Sequence, residues 1–380
     1  MRIAVFDYRI IATNPVGGCH LRMLKGLCDR HDFTVFAVEF ENPRPDRIRW
    51  VRIPLPVRPY VLLYVLFHVA APLACGWQWL VRGVRFDLVQ MVESNLLFGD
   101  VSYSQFCHRR YLKRHWRETR ASGLRGFVRG LAHRAAAWFE PLVYRRVGRI
   151  VAPSRGLMAE LGEEYPGQES KVHVLPNPVD VDALAPPDPA DRQQIREMLG
   201  FERDEVVLLF AALGHFERKG LPLVLEALAR LGDPRLQLVV VGGQPDLVAE
   251  YRNRVNAMGL ASAVRFEGMQ RDLQRYYWLA DAFVFPTCYE TFCLVAMEAA
   301  AASVPLISTR VNGVEDILRD GENGIAIERS VDAVCDGIRR FLALSLAERC
   351  EMRRRARESV MQFSSENFVG AWREFYEQVA

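Results

Sequence analysis

Two glutamates eight residues apart, Glu290 and Glu298, flank a change of pattern in the stretch Phe285 to Ala299. An apolar run ends at Pro286, and from about Thr291 the spacing turns helical. The free amides of a helix N-terminus then point towards the carboxyl edge of a strand, where anions bind. A diphosphate on that helix end leaves Glu290 in the loop on one side. Glu298 falls roughly 12 Å further along, at about 1.5 Å per residue. That span suits a donor whose sugar and ribose flank its phosphates, with both carboxylates accepting hydrogen bonds from hydroxyls. The plainer reading is one glutamate favoured by the helix dipole and a second exposed by chance.

A second segment, Leu208 to Pro222, repeats the pattern of strand, glycine turn at Gly214 and helix start. Arg218 and Lys219 fall in its turn, at the same kind of sheet edge, where cations clamp a diphosphate and stabilise charge growing on it as it leaves. Two basic residues in a turn are ordinarily just solvated, and it is the glutamate pair downstream that raises the functional reading. Asp180-Val181-Asp182 is formally a DxD string, but it lies in an interdomain region rather than after a donor-binding strand, and no metal is assigned to it.

The elements that must position these residues alternate. Residues 3–7 are apolar, followed by a turn-rich stretch from Asn14 to Gly18 and a helix-like run from Leu21 to Leu27. Further strands are expected at 33–38, 88–92 and 149–151. Beyond a proline-rich linker (Pro176, Pro178, Pro186, Pro187, Pro189) the series restarts, with strands at 206–210, 236–241, 264–266, 282–285 and 305–308 and a helix at 221–231. Strands alternating with helices predict an α/β chain of parallel sheets covered on both faces. At 380 residues, two domains are expected. The last residues, Phe363 to Val379, read as an amphipathic helix with Phe368, Trp372, Phe375 and Tyr376 on or near one face.

A net charge of +3 says little globally, so any surface partner must show in local clustering. Residues 108–149 carry twelve Lys or Arg against Glu118 and Glu140. Trp116, Phe127, Leu131, Trp138, Phe139 and Leu142 are interleaved, so a helix here either faces an anionic bilayer or is a solvated helix with its apolar side in the core. No recognised nucleic-acid motif accompanies the charge, and nucleic acid is not expected as a partner. Tyr60 to Leu80 is uncharged over nearly the length of a membrane span. Its interruptions, His68, Pro72, Gly76 and Gln78, predict buried helices ahead of a core strand instead. The opening residues lack the zones of a secretory signal, and the eight cysteines form no CxxC pair. Reduced thiols in a cytoplasmic protein are therefore expected.

Taken in order, the motifs resemble the retaining glycosyltransferases of family 4. They comprise Gly17-Gly18, Val174 to Asp180, Arg218-Lys219-Gly220, Val240-Val241-Gly242, the spaced Glu290 and Glu298, Asn312 to Ile317, and Asp320 to Gly324. The resemblance runs over nearly the whole chain. It implies a GT-B fold, two Rossmann-like domains facing across a cleft: residues 1–172, completed by a C-terminal helix 363–380, on the acceptor side, and residues 173–362 binding the nucleotide-sugar donor. Arg218 and Lys219 would then bind the diphosphate, Glu298 the ribose hydroxyls and Glu290 the transferred sugar. The backbone of Thr291, Phe292, Cys293 and Leu294 would meet phosphate or sugar, and Gly17 and Gly18 would let backbone approach the phosphates closely. His108 sits where the family often has a histidine beside the sugar. Three positions depart from the common pattern: Thr291 and Ser303 replace frequent glycines, and Asn177 is followed by Pro178 rather than glycine.

The expected reaction is a metal-independent, retaining hexosyl transfer from a nucleotide diphosphate sugar, UDP favoured over GDP, with no cofactor besides that donor. The acceptor is a glycan or glycolipid, as in lipopolysaccharide or capsule assembly, and the enzyme is cytoplasmic or peripheral on the inner face of the plasma membrane. The competing readings are a nucleotide-sugar epimerase of the same fold and a non-catalytic membrane-surface protein. A nicotinamide dehydrogenase is disfavoured, because Asn14 to His20 lacks GxGxxG spacing.

Overall fold

The computed structural model describes residues 1–119 and 123–379, apart from the side chains of 118 and 123–125. The chain divides into two compact units, Met1–Pro178 with Ser365–Ala380, and Val179–Ser364.

The first unit contains β1 (Arg2–Phe6), β2 (Arg9–Ile10), α1 (Pro15–Leu27), β3 (Asp32–Ala37), β4 (Glu39–Phe40), β5 (Arg49–Arg52) and α2 (Tyr60–Arg82). There follow β6 (Leu88–Val92), β7 (Val101–Tyr103), α3 (His108–Arg114), α4 (Trp116–Thr119), α5 (Gly123–Arg146), β8 (Arg149–Ala152), α6 (Arg155–Glu164) and β9 (Val172–Val174). Seven strands pair in parallel in the order β5-β3-β1-β6-β7-β8-β9. The apolar runs of β1, β3, β7 and β8 are buried on both faces, as covered parallel strands require.

Three expectations change here. The domain boundary lies after Pro178, because β9 pairs with β8 and Asn177 is tied into the first unit. Tyr103 Oη donates to Asn177 Oδ1 at 2.5 Å, and Asn177 Nδ2 donates to Gln105 Oε1 at 2.9 Å. Gly17 and Gly18 lie inside α1 rather than in a turn. Asn14 caps that helix, accepting from the amides of Val16 (3.1 Å) and Gly17 (3.4 Å). A Cβ at Gly17 would meet Ile11 O and Arg9 O at 2.8 Å, so the residue is small to let α1 pack on the preceding loop. Finally, 60–80 is not a set of buried helices but one 23-residue helix whose outer side is exposed.

In the second unit the order is α7 (Pro189–Met198), β10 (Val206–Ala211), α8 (Phe216–Lys219), α9 (Leu221–Leu231), β11 (Leu236–Val241), α10 (Pro245–Ala257), β12 (Val264–Gly268) and α11 (Gln274–Leu279). Next come β13 (Ala282–Phe285), α12 (Leu294–Ala301), β14 (Leu306–Ser308), α13 (Val314–Ile317), β15 (Gly324–Ala326), α14 (Val331–Ala343) and α15 (Leu346–Val360). The parallel sheet runs β12-β11-β10-β13-β14-β15. The strand order reverses between β10 and β13, and a crevice outside the carboxyl ends opens at such a switch point. The last helix, α16 (Ser365–Val379), returns to the first unit. Phe368, Trp372, Phe375 and Tyr376 of α16 are buried against α1 and the sheet, and Tyr376 Oη donates to Gln90 Oε1 at 2.7 Å.

Candidate active site

The two chemistry-bearing segments of the second unit meet at the carboxyl ends of its adjacent strands β10 and β13. Gly220 sets their approach. Its φ is +85°, and a Cβ there would sit 2.3 Å from Pro286 O, so only glycine fits. Two further bonds hold the loops together: Cys288 N donates to Arg218 O at 3.1 Å, and Arg218 Nη1 donates to Tyr289 O at 3.0 Å.

This juxtaposition places Lys219 Nζ against Glu290 Oε1, with both side chains nearly buried. Thr287 Oγ1 also donates to Glu290 Oε1, at 3.0 Å. Burial pushes the Glu290 carboxyl up, but the Lys219 and Arg218 cations and these hydrogen bonds hold it below the ordinary range. Glu290 is therefore an ionised acceptor at neutral pH. Arg218 Nε is buried with no hydrogen-bond partner among the described residues. A buried guanidinium donor without an acceptor is costly, and a phosphate oxygen is the acceptor that would satisfy it.

The helix start lies later than the sequence spacing predicts. α12 begins at Leu294, with Cys293 as its N-cap in the left-handed region at φ +63°. Phe292 is buried and packs edge-on against Phe363, at 5.6 Å between ring centroids, so its backbone rather than its side chain is offered to a ligand. Gly313 packs on that backbone: a Cβ there would meet Phe292 O at 2.2 Å. Leu294 and its neighbours carry the first helical amides, which an α-helix cannot pair internally. Glu298 stands one turn into α12, about 6 Å along the axis from Leu294, so less of the span to Glu290 is helical than expected. Tyr277 Oη donates to Glu298 Oε2 at 2.8 Å and orients that carboxylate. Neither Tyr277 nor Thr287 was singled out by sequence reasoning, since no local pattern marks either. Gly214 lies in the open loop after β10, where an added Cβ would meet nothing.

His108 belongs to the first unit, at the start of α3. Its Nε2 lies 3.1 Å from Glu93 Oε2 and its Nδ1 lies 2.8 Å from His133 Nδ1. Its backbone N–H donates to the buried Glu140 at 2.7 Å. Burial lowers the affinity of the imidazole for a proton, but Glu93 and Glu140 more than offset this and raise its pKa. The three side chains Glu93, His108 and His133 line a cavity of about 620 Å³ together with Tyr60, Phe106 and Ala132. Glu93 and His133 were missed. The left-handed φ of +50° at Glu93 is visible only in the fold.

A larger cavity in the second unit, about 920 Å³, lies at the opposite, amino edge of the sheet and is rich in arginine. Its cations are internally committed: Arg192 and Arg196 pair with Asp281, and Arg353 and Arg357 donate to carbonyls. The DxD string is a turn, with Asp180 Oδ1 accepting from Ala183 N at 3.2 Å.

Comparison with known proteins follows the same division. Residues 20–183 match the model described as Glycosyltransferase Family 4, and residues 191–360 match Glycosyl transferases group 1. The chain is similar to a D-inositol 3-phosphate glycosyltransferase of Xylanimonas cellulosilytica, with 32% identity over 47% of this chain and 46% of that protein. It is also similar to a mannosylfructose-phosphate synthase of Agrobacterium fabrum, with 29% identity over 49% of this chain and 43% of that one. The chain thus spans about half the length of the curated relatives it matches. Among solved structures, a sucrose-phosphate synthase from Thermosynechococcus elongatus superposes with a TM-score of 0.79 at 19% identity, covering 100% of this chain and 99% of that one. HepE of Anabaena in complex with UDP and glucose gives 0.74 at 17%, covering 100% of each. Two family models thus fall in order on two parallel-sheet units of GT-B fold, and the chain belongs to glycosyltransferase family 4.

Proposed function

We propose that the protein is a retaining glycosyltransferase that moves a hexose from a nucleotide diphosphate sugar to a glycan or glycolipid acceptor of the cell envelope. The observation that carries this reading is the buried Lys219–Glu290 pair beside the orphaned Arg218 Nε, at the switch point of the second sheet. In this reading the diphosphate sits on Arg218, Lys219 and the first amides of α12, Glu298 holds the ribose and Glu290 the sugar. The acceptor hydroxyl oxygen bonds to the anomeric carbon on the face the diphosphate leaves. The bond from that carbon to the diphosphate breaks, and the departing phosphate oxygen takes the hydroxyl proton. Arg218, Lys219 and the helix amides stabilise the growing charge without a metal or any cofactor besides the donor.

UDP is the favoured nucleotide, in keeping with HepE, a similar structure that holds UDP and glucose. Lipopolysaccharide assembly is the favoured setting, in keeping with the similar WaaG, a glycosyltransferase involved in lipopolysaccharide biosynthesis. The names of the sequence relatives favour a second acceptor class, a small phosphorylated polyol or sugar. The cavity around His108 is our candidate for the acceptor, and the reading puts the protein in the cytoplasm, peripheral on the inner face of the plasma membrane. Incubation with UDP-hexoses and either a lipopolysaccharide-core glycolipid or inositol 3-phosphate tests it, by UDP release and NMR of the product. Transfer with retained anomeric configuration to one acceptor is expected. Inverted product, or epimerised donor with no transfer, would refute it.

A further inference from the structure

Helix α2 has the composition of a membrane segment and the attachments of a soluble one. No charged residue occurs from Tyr60 to Val81. Its inner side (Leu63, Tyr64, Phe67, Ala71) packs into the core of the first unit. Its outer side repeats Leu62, Val65, Val69, Leu73, Trp77 and Leu80 at intervals of three and four residues, all exposed, with Leu73 at 69% and Leu80 at 74%. A surface helix ordinarily has a polar outer face, and one that is apolar all round needs an apolar environment on both sides. Helix α5 extends the patch. It packs on α2 through Phe139, stacked on His68 at 4.6 Å, and exposes Phe127, Leu131 and Trp138.

The exposed charges on α5 and from Arg58 to Arg85 have one sign. Arg58, Arg82 and Arg85 are exposed at the two ends of α2, and Arg134, Arg145 and Arg146 on α5. From 60 to 86 there is no acidic residue, and along α5 the only one is the buried Glu140. By contrast, three of the four cations of α3 pair inside the unit: Arg109, Arg110 and Lys113 with Glu163 and Glu164 of α6. A second copy of the chain would bring like charges together across a two-fold contact. An anionic bilayer matches both features, since it takes the apolar side chains into the acyl boundary and the arginines among its headgroups, with tryptophans at the interface.

We propose that the first unit sits on an anionic lipid bilayer through the outer sides of α2 and α5, with α2 lying in the plane of the interface. It cannot cross. The strands before and after it, β5 and β6, belong to one sheet and are separated only by β3 and β1. That is three steps of about 4.8 Å, whereas the helix is about 35 Å long. A spanning α2 would put strands of one hydrogen-bonded sheet on opposite sides of the membrane. The cavity lined by Tyr60 and Val61 of α2 and Val128 and Ala132 of α5 lies between the two seated helices.

The full chain is mixed with vesicles of phosphatidylcholine alone or containing phosphatidylglycerol, and sedimented. Wild type is expected to sediment with the anionic vesicles and to be released by salt. Leu73→Glu with Trp77→Glu is expected to abolish sedimentation while leaving nucleotide binding and the circular dichroism spectrum unchanged. Quenching of wild-type tryptophan fluorescence by shallowly brominated phosphatidylglycerol needs no variant and is expected to exceed quenching by deeply brominated lipid. The proposal is overturned if wild type stays in the supernatant, if the double variant sediments as wild type does, or if deep bromines quench best. It is equally overturned if wild type is a dimer that the double variant dissolves, which would make a second copy the occupant.

Discussion

Helix α9 of the second unit and helix α2 of the first are both apolar, yet they meet different surroundings. α9 buries Leu221, Val224, Leu225 and Leu228 against its sheet and turns Arg230 to solvent. α2 buries one side and leaves a row of leucine, valine and tryptophan outside. α9 thus closes its apolar surface, and the second unit keeps its unusual feature, a nearly buried Lys219–Glu290 pair, for the carboxyl edge of the sheet. The first unit closes one face with α16 and leaves another apolar. Under the two proposals above, the difference separates two tasks: charge held for chemistry in one unit, and apolar area held for attachment in the other.

The strongest test of that contrast sets two helices of the first unit against each other. Trp372→Ala, in the buried face of α16, is expected to cost about 3–5 kcal/mol, measured by denaturant unfolding. Leu73→Ala, on the outer side of α2, should stay within about 0.5 kcal/mol in the absence of lipid. Next in size, Lys219→Ala should lower kcat by about 10²–10³, leaving vesicle binding intact. It also strands the Glu290 carboxylate, which removal of the partner of a buried pair makes costly.

The pH dependence should differ in sign between the units. Glu290 has a folded pKa below its unfolded value, so its contribution is present above the ordinary carboxyl pKa and is lost as pH falls through the depressed one. His108 has a raised pKa, so its contribution is complete below the ordinary imidazole value and is lost as pH rises through the raised one. Glu290→Gln should flatten the acid limb of a stability profile and His108→Gln the limb above neutrality. If either substitution flattens the other limb, the assignment of charge states is wrong. The smallest effect is expected at Ser303, held at φ +60°. Ser303→Gly should relieve that strain and stabilise the protein by up to about 1 kcal/mol, after the entropy glycine adds to the unfolded chain.

The sequence made the second unit readable because its strands are buried on both sides and stand out as runs such as Val206–Ala211 and Leu236–Val241. Arg218, Lys219, Glu290 and Glu298 stand out as candidates for the same reason, each lying in the loop or helix that follows such a run. The edge strand β5, Arg-Trp-Val-Arg, carries no such signal, because only one side of it is covered. The exposure of α2 was not legible either: composition gives apolar residues, and only the packing of Phe67 and Ala71 on the sheet says which side is left over. Contacts between distant segments, such as Tyr277 with Glu298 and His108 with Glu93 and His133, depend on helix placement and leave no spacing to find. The sequence pattern places Asn177 at the opening of the second domain, whereas Tyr103 and Gln105 hold it in the first.

Calorimetric binding of UDP, GDP and ADP to wild type, Lys219→Ala and Glu298→Ala reads out whether a working donor site lies at the carboxyl edge of the second sheet. One nucleotide, UDP, should bind wild type, and both substitutions should weaken that binding. Absence of binding by all three nucleotides, or affinity unchanged in both variants, would contradict such a site.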